Sequence, residues 1–165
     1  MIEQQKQIGK KWLEKLLELM GFPGNVKAEY RRNELEKINE IWLVINEEQL
    51  TSQDMLKLIG KRGESIDAIE YIINTFIKYD VNLSNSYQFK IELNNYRSRC
   101  HEELKISLQE IIQQVRKTGQ EVEMTSLSLT ESHEVHLFLK NLNDLTAENR
   151  GKEPNRRLIV KRLIV

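Results

Sequence analysis

Six apolar residues, Ile66, Ile69, Ile72, Ile73, Phe76 and Ile77, recur at helical spacing directly behind the tetrapeptide Gly60-Lys61-Arg62-Gly63. A stripe that wide commits the segment to an amphipathic helix with one face on a core. The helix starts near Glu64, so the two glycines must form the turn that feeds it. Lys61 and Arg62 place two positive charges at that turn. The unpaired N–H groups of the first helical turn favour an anion at the same spot. Glycine has no Cβ, which leaves room for a sugar-phosphate strand beside Gly60 and Gly63. The competing reading is a plain glycine turn whose Lys and Arg serve solubility. A P-loop is excluded, because Gly60-Lys61 is followed by Arg62 and Met55 stands where its first glycine belongs.

The decision rests on what surrounds the loop. Trp12, Leu13, Leu16, Leu17 and Met20 follow helical spacing from Ile8 to Met20, and Gly21-Phe22-Pro23-Gly24 ends that helix. Val26, Ala28 and Tyr30 alternate with polar residues as in a strand. Arg31 to Glu40 reads as a long polar hairpin loop, and the apolar run Ile41 to Ile45 as a central strand. Thr51 or Ser52 caps a short helix through Leu58. Beyond the stripe, Tyr87, Phe89, Ile91 and Leu93 alternate strictly. The order over residues 1–93 is therefore α-β-β-α-α-β, with the Gly-Lys-Arg-Gly loop between the two consecutive helices.

Residues 94–165 form a second, smaller unit. A long helix runs from Tyr96 to Thr118 with Leu104, Leu108, Ile111, Ile112 and Val115 inward, and Gly119 follows its end. Val122 and Met124 mark a short strand. Ser128-x-x-Glu131 is a capping box that opens a helix carrying Val135, Phe138, Leu139 and Leu142. Leu145 to Glu148 and Leu158 to Val165 read as strands joined by a turn over Asn149 to Pro154.

Composition bounds the function. With 39% hydrophobic and 30% charged residues, the chain reads as a soluble globular protein, and its element order as α+β. It has no apolar run long enough for a membrane span, and its polar start, Met1-Ile2-Glu3-Gln4-Gln5-Lys6, lacks a signal-peptide core. The single cysteine, Cys100, excludes an intrachain disulfide and fits a reducing cytoplasm. The 25 basic and 25 acidic residues cancel, so any nucleic-acid contact must come from local patches rather than bulk charge. One such patch is Arg150 to Val165, where six Lys/Arg accompany only Glu153.

Several constellations fail on spacing. His133-Glu134-Val135-His136 sets its histidines three apart, whereas the zinc-protease pattern needs four. No serine sits in a nucleophile elbow, and the carboxylates read as solvated faces. Trp12, Trp42 and Tyr71 read as core rather than as base-stacking platforms. Neither catalysis, a metal nor a cofactor is implied.

Together these pieces resemble the C-terminal part of the bacterial Jag family. That family pairs a type II K-homology (KH) domain with a nucleic-acid-binding domain named for an Arg-x-x-x-His motif. The resemblance rests on Ile59-Gly60-Lys61-Arg62-Gly63-Glu64-Ser65-Ile66-Asp67-Ala68-Ile69, Asn95-Tyr96-Arg97-Ser98-Arg99 and Lys117-Thr118-Gly119-Gln120-Glu121-Val122. It continues through Glu131 with His136 and Gly151-Lys152-Glu153-Pro154-Asn155-Arg156-Arg157. KH domains hold about four nucleotides on such a GxxG loop. The resemblance implies a non-catalytic binder of single-stranded RNA, or single-stranded DNA, at Ile59, Gly60, Lys61, Arg62, Gly63 and Ile66. It also implies post-transcriptional control linked to cell elongation and division. The alternative it carries is a protein-interaction module, pairing with a small KH protein or a second copy. In the second unit, the signature arginine position is Ser132 and a following family arginine is His133, with His136 retained. A second family arginine beside Arg99 is Cys100. Arg97, Arg99, Arg150, Lys152, Arg156 and Arg157 are the cations left to compensate. By that resemblance, the sequence is expected to open on the first KH helix, without the separate N-terminal domain and basic linker of longer Jag proteins.

Overall fold

A computed structural model of the chain describes residues 2–34, 36–79, 87–152 and 155–163, leaving out the side chains of 77–79. Its elements are α1 (Ile2–Leu19), β1 (Val26–Asn33), β2 (Ile38–Ile45), α2 (Ser52–Ile59), a 3-10 turn (Lys61–Gly63), α3 (Glu64–Tyr79) and β3 (Tyr87–Leu93). They are followed by α4 (Tyr96–Thr118), β4 (Val122–Met124), α5 (Leu129–Lys140), β5 (Leu145–Arg150) and β6 (Arg157–Arg162). The mixed α+β chain divides into two compact units, Met1–Arg97 and Ser98–Val165. The break falls inside α4 rather than at Leu93/Asn94, because Tyr96 packs on the first core and Arg97 bridges to α3.

The first unit carries the sheet β1-β2-β3, with β1 antiparallel and β3 parallel to β2. A parallel pair needs a crossover, and α2, the turn and α3 supply it. Leu13 and Leu17 of α1, Ile66 and Ile73 of α3, Ile41 and Leu43 of β2, and Phe89 and Ile91 of β3 are each at most 1% exposed. Gly9 lets α1 sit on the sheet: a Cβ there would lie 2.1 Å from the Phe89 ring. Thr51 closes a capping box with Asp54 at the start of α2.

Three expectations change. The polar stretch 31–40 is not a long loop, since β1 reaches Asn33 and β2 begins at Ile38. Polar side chains hold this hairpin end: Tyr30 Oη donates to Asn39 Oδ1 (2.8 Å), Asn33 Nδ2 donates to Glu40 Oε1 (3.0 Å), and the Arg31 guanidinium lies 4.5 Å over Trp42. The α3 stripe is only partly core. Ile66, Ile69 and Ile73 face the sheet, whereas Ile72 is 50% and Phe76 48% exposed. These two sit on the flank, where Phe76 meets Trp12 with ring centroids 6.4 Å apart. The Ile77 side chain lies outside the described residues. Tyr71 is not core either, at 73% exposed, while Trp12 and Trp42 are half-buried.

The outer edge of β3 is stitched to α3. Asn74 accepts from Phe89 N–H and donates to Phe89 C=O, both at 2.9 Å, and Glu70 accepts from Ile91 N–H at 3.1 Å. Backbone groups that would otherwise invite another strand are thus satisfied.

The second unit has the antiparallel sheet β4-β6-β5. Leu104, Leu108, Ile112 and Val115 of α4 and Val135 and Leu139 of α5 share a core with Met124, Leu145, Leu158 and Val160. The Ser128/Glu131 capping box opens α5 as its sequence predicts. β5 runs on to Arg150, opposite Arg157, so the connection lies two residues later than expected, over 151–156. Glu153, Pro154 and Val165 lie outside the described residues.

Candidate nucleic-acid interface

The loop leaves α2 through Gly60, whose N–H donates to Leu56 O at 2.8 Å. Gly60 (φ 75°, ψ 177°) adopts a conformation closed to side chains. Arg62 (φ 55°, ψ 26°) and Gly63 (φ 82°) are both left-handed. Lys61 and Arg62 are exposed and have no ion pair among the described residues. Glu64 opens α3 beside them and offsets part of their charge.

The glycines serve the chain itself. A Cβ on Gly60 would lie 2.3 Å from Ser65 Oγ, and one on Gly63 would lie 2.6 Å from Tyr96 Oη. Gly63 is buried and Gly60 half-buried, so the exposed part of the loop is Lys61 and Arg62. Ile59 is half-buried against the core. Ile66, expected to read bases, is 1% exposed and belongs to the core instead, because it falls on the sheet-facing stripe of α3.

Arg97 is likewise displaced from its expected role. It lies in the first unit, where Nη2 meets Asp67 Oδ1 (2.6 Å) and Glu70 Oε2 (3.1 Å). Burial alone pulls its guanidinium pKa down, but Glu70 and Asp67 more than offset this and hold it above the ordinary value. The guanidinium is thus occupied by two carboxylates of the first unit.

In the second unit, Ser132 is 5% exposed and donates to Asn149 Oδ1 at 3.3 Å. Asn149 Nδ2 lies 3.3 Å from His136 Nε2. The structure thus joins Ser132 and His136 through Asn149, a residue that no sequence spacing singles out. His133 is exposed. Arg150 is gripped by Glu121 (2.6 Å) and Glu148 (3.1 Å), which raise its pKa, and Arg157 meets Glu123 at 3.4 Å. Lys161 also pairs with Glu148. Glu121, Glu123, Arg150 and Arg157 line an open groove with Asn155 and Ile159, in which the expected cations are neutralised pairwise. Arg156 is half-buried. Arg99 and Lys152 remain exposed without an ion pair among the described residues. Those residues contain no cluster of three metal-ligating side chains, and no described helix is long and apolar enough to cross a membrane.

Residues 102–162 match the family model of the Arg-x-x-x-His domain, which takes in nearly all of the second unit. The chain is also similar to an RNA-binding protein, KhpB of Clostridium symbiosum, at 28% identity over 149 residues. That similarity covers 90% of this chain and 62% of the relative, so the chain spans under two thirds of that protein's length. Both matches support a protein that contains an Arg-x-x-x-His domain and is similar to KhpB and the Jag family.

Proposed function

We propose that the chain is a non-catalytic, cytoplasmic binder of single-stranded RNA, with the Gly60–Gly63 loop as its working site and the first unit a type II KH domain. The observation that carries this reading is the state of the cations. Lys61 and Arg62 are exposed and unpaired among the described residues, whereas Arg97, Arg150 and Arg157 are tied to carboxylates. Support also comes from the α-β-β-α-α-β order with a parallel β2–β3 pair, and from the RNA-binding relative. Phosphates are held by the exposed side chains of Lys61 and Arg62, beside Ile59. The second unit contributes through Arg99 and Lys152 rather than through Ser132, and single-stranded DNA binds the same loop. By resemblance, the cellular role is post-transcriptional control linked to bacterial elongation and division. Crosslinking labelled RNA to the purified chain and mapping the modified peptides tests this. Crosslinks concentrated on residues 57–65 are expected; their absence there, with crosslinks elsewhere, overturns the site.

One observation favours a second reading, a module that pairs with a small KH protein or another copy. Tyr71, Ile72 and Phe76 leave an exposed apolar strip on α3, the kind of patch that marks protein contacts. It predicts robust co-purification with a protein and weak RNA crosslinking.

A further inference from the structure

We propose that Tyr96 is a positioning residue for the cationic loop: its ring, seated against Gly63, holds the backbone that presents Lys61 and Arg62. This rests on reading the loop as the phosphate site. Arg62 occupies left-handed space that residues with a Cβ disfavour, between two glycines of positive φ. Backbone of that kind persists where its surroundings over-determine it. On one side the support is local, with Ser65 packed under Gly60. On the other it comes from far along the chain. Tyr96 Oη, Cε1 and Cζ lie 2.6, 3.0 and 3.1 Å from where a Gly63 Cβ would be, so the ring takes the space of a side chain at 63.

Tyr96 is itself held on every side. Asn94 and Asn95, with φ of 51° and 53°, turn β3 sharply into α4. Glu92 Oε1 accepts from Leu93 N–H (3.0 Å) and Arg97 N–H (3.1 Å), which pins the first turn of α4 to the end of β3. Arg97 fastens the same turn to Asp67 and Glu70 of α3, the helix that leaves the loop. The ring also packs against the first core. The loop is therefore braced between α3 and the first turn of α4, with Tyr96 as the part that touches it. Such a residue raises affinity by preorganising the loop, while leaving the number of phosphates held unchanged.

Fluorescence anisotropy with labelled single-stranded oligouridylate, titrated over salt with the full chain, separates the roles. Tyr96→Ala is expected to weaken binding about tenfold at an unchanged salt slope. Lys61→Gln should instead make the slope shallower by about 0.7. Tyr96→Phe, which keeps the ring, should restore most of the affinity. In the RNA-free protein, amide exchange at Arg62, Gly63 and Glu64 should quicken in Tyr96→Ala while β2 and β3 stay protected. If Tyr96→Ala does not fold, Tyr96→Leu takes its place with the same expectations. Unchanged affinity and unchanged exchange in a folded variant overturn the proposal. A slope that becomes shallower along with the affinity means that fewer phosphates are held, which preorganisation alone does not produce, and overturns it too. If the wild-type chain binds no RNA, the phosphate reading fails, and the exchange result alone decides whether Tyr96 holds the loop.

Discussion

Gly60 is the residue whose replacement tests the loop backbone most simply. A side chain there meets Ser65 at 2.3 Å and must adopt φ near 75° with ψ near 177°. Gly60→Ala should therefore lower stability by about 2 kcal/mol, read from the urea midpoint at an unchanged slope. The sequence marks this position because two glycines bracket two cations ahead of a periodic helix. It does not mark Tyr96 as the neighbour of Gly63, since residues so far apart in the chain share no local period. Ser132 shows the same limit. Its place in the Arg-x-x-x-His frame is legible, yet its burial and its tie to Asn149 depend on how α5 meets β5. Ile66 was legible as an apolar helix position, but only packing decides that it faces the core rather than a ligand.

Among the elements, α3 does more than cover the sheet. Asn74 satisfies both backbone groups of Phe89 on the free edge of β3. Asn74→Leu leaves them without those partners and should cost about 2–3 kcal/mol, measurable by chemical denaturation, with faster amide exchange confined first to Phe89 and Ile91. On the second unit's sheet, charges rather than apolar residues line the exposed face. The side-chain bond from Arg150 lowers the Glu121 pKa, and Lys161 followed by Arg150 lowers that of Glu148. A carboxylate depressed in the folded state contributes stability that is present above its unfolded pKa and lost as pH falls through the folded one. Unfolding midpoints for this unit should thus hold steady from neutral pH to the ordinary glutamate range and fall below it. A midpoint that rises on acidification would contradict the ion-pair pattern. Helices α4 and α5 were legible from spacing and caps. The outer half of the β1–β2 hairpin is not legible, because it is held by Asn33, Asn39, Tyr30 and Glu40, polar residues that mimic a loop.

At the scale of the molecule, zero net charge makes the placement of each cation decisive. Bulk attraction is weak, so affinity must come from the few cations that are not already paired. If the loop holds two or three phosphates of single-stranded RNA, log K should fall with log salt at a slope of about −1.4 to −2.1. A much steeper slope would mean that the second unit adds phosphate contacts. A single loop also predicts modest affinity, which a second clamp on a partner or another copy would raise through effective concentration. The two-unit organisation was legible in the switch from one α-β-β-α-α-β set to another capped set. The break at Arg97/Ser98 was not, because it depends on Tyr96 and Arg97 packing back on the first unit. The most direct test is RNA affinity of the Lys61→Asp, Arg62→Asp double variant, with circular dichroism and thermal unfolding run alongside. Both side chains are exposed, so the fold should persist while binding is abolished. A folded double variant that binds RNA as tightly as the wild type would contradict the loop's role.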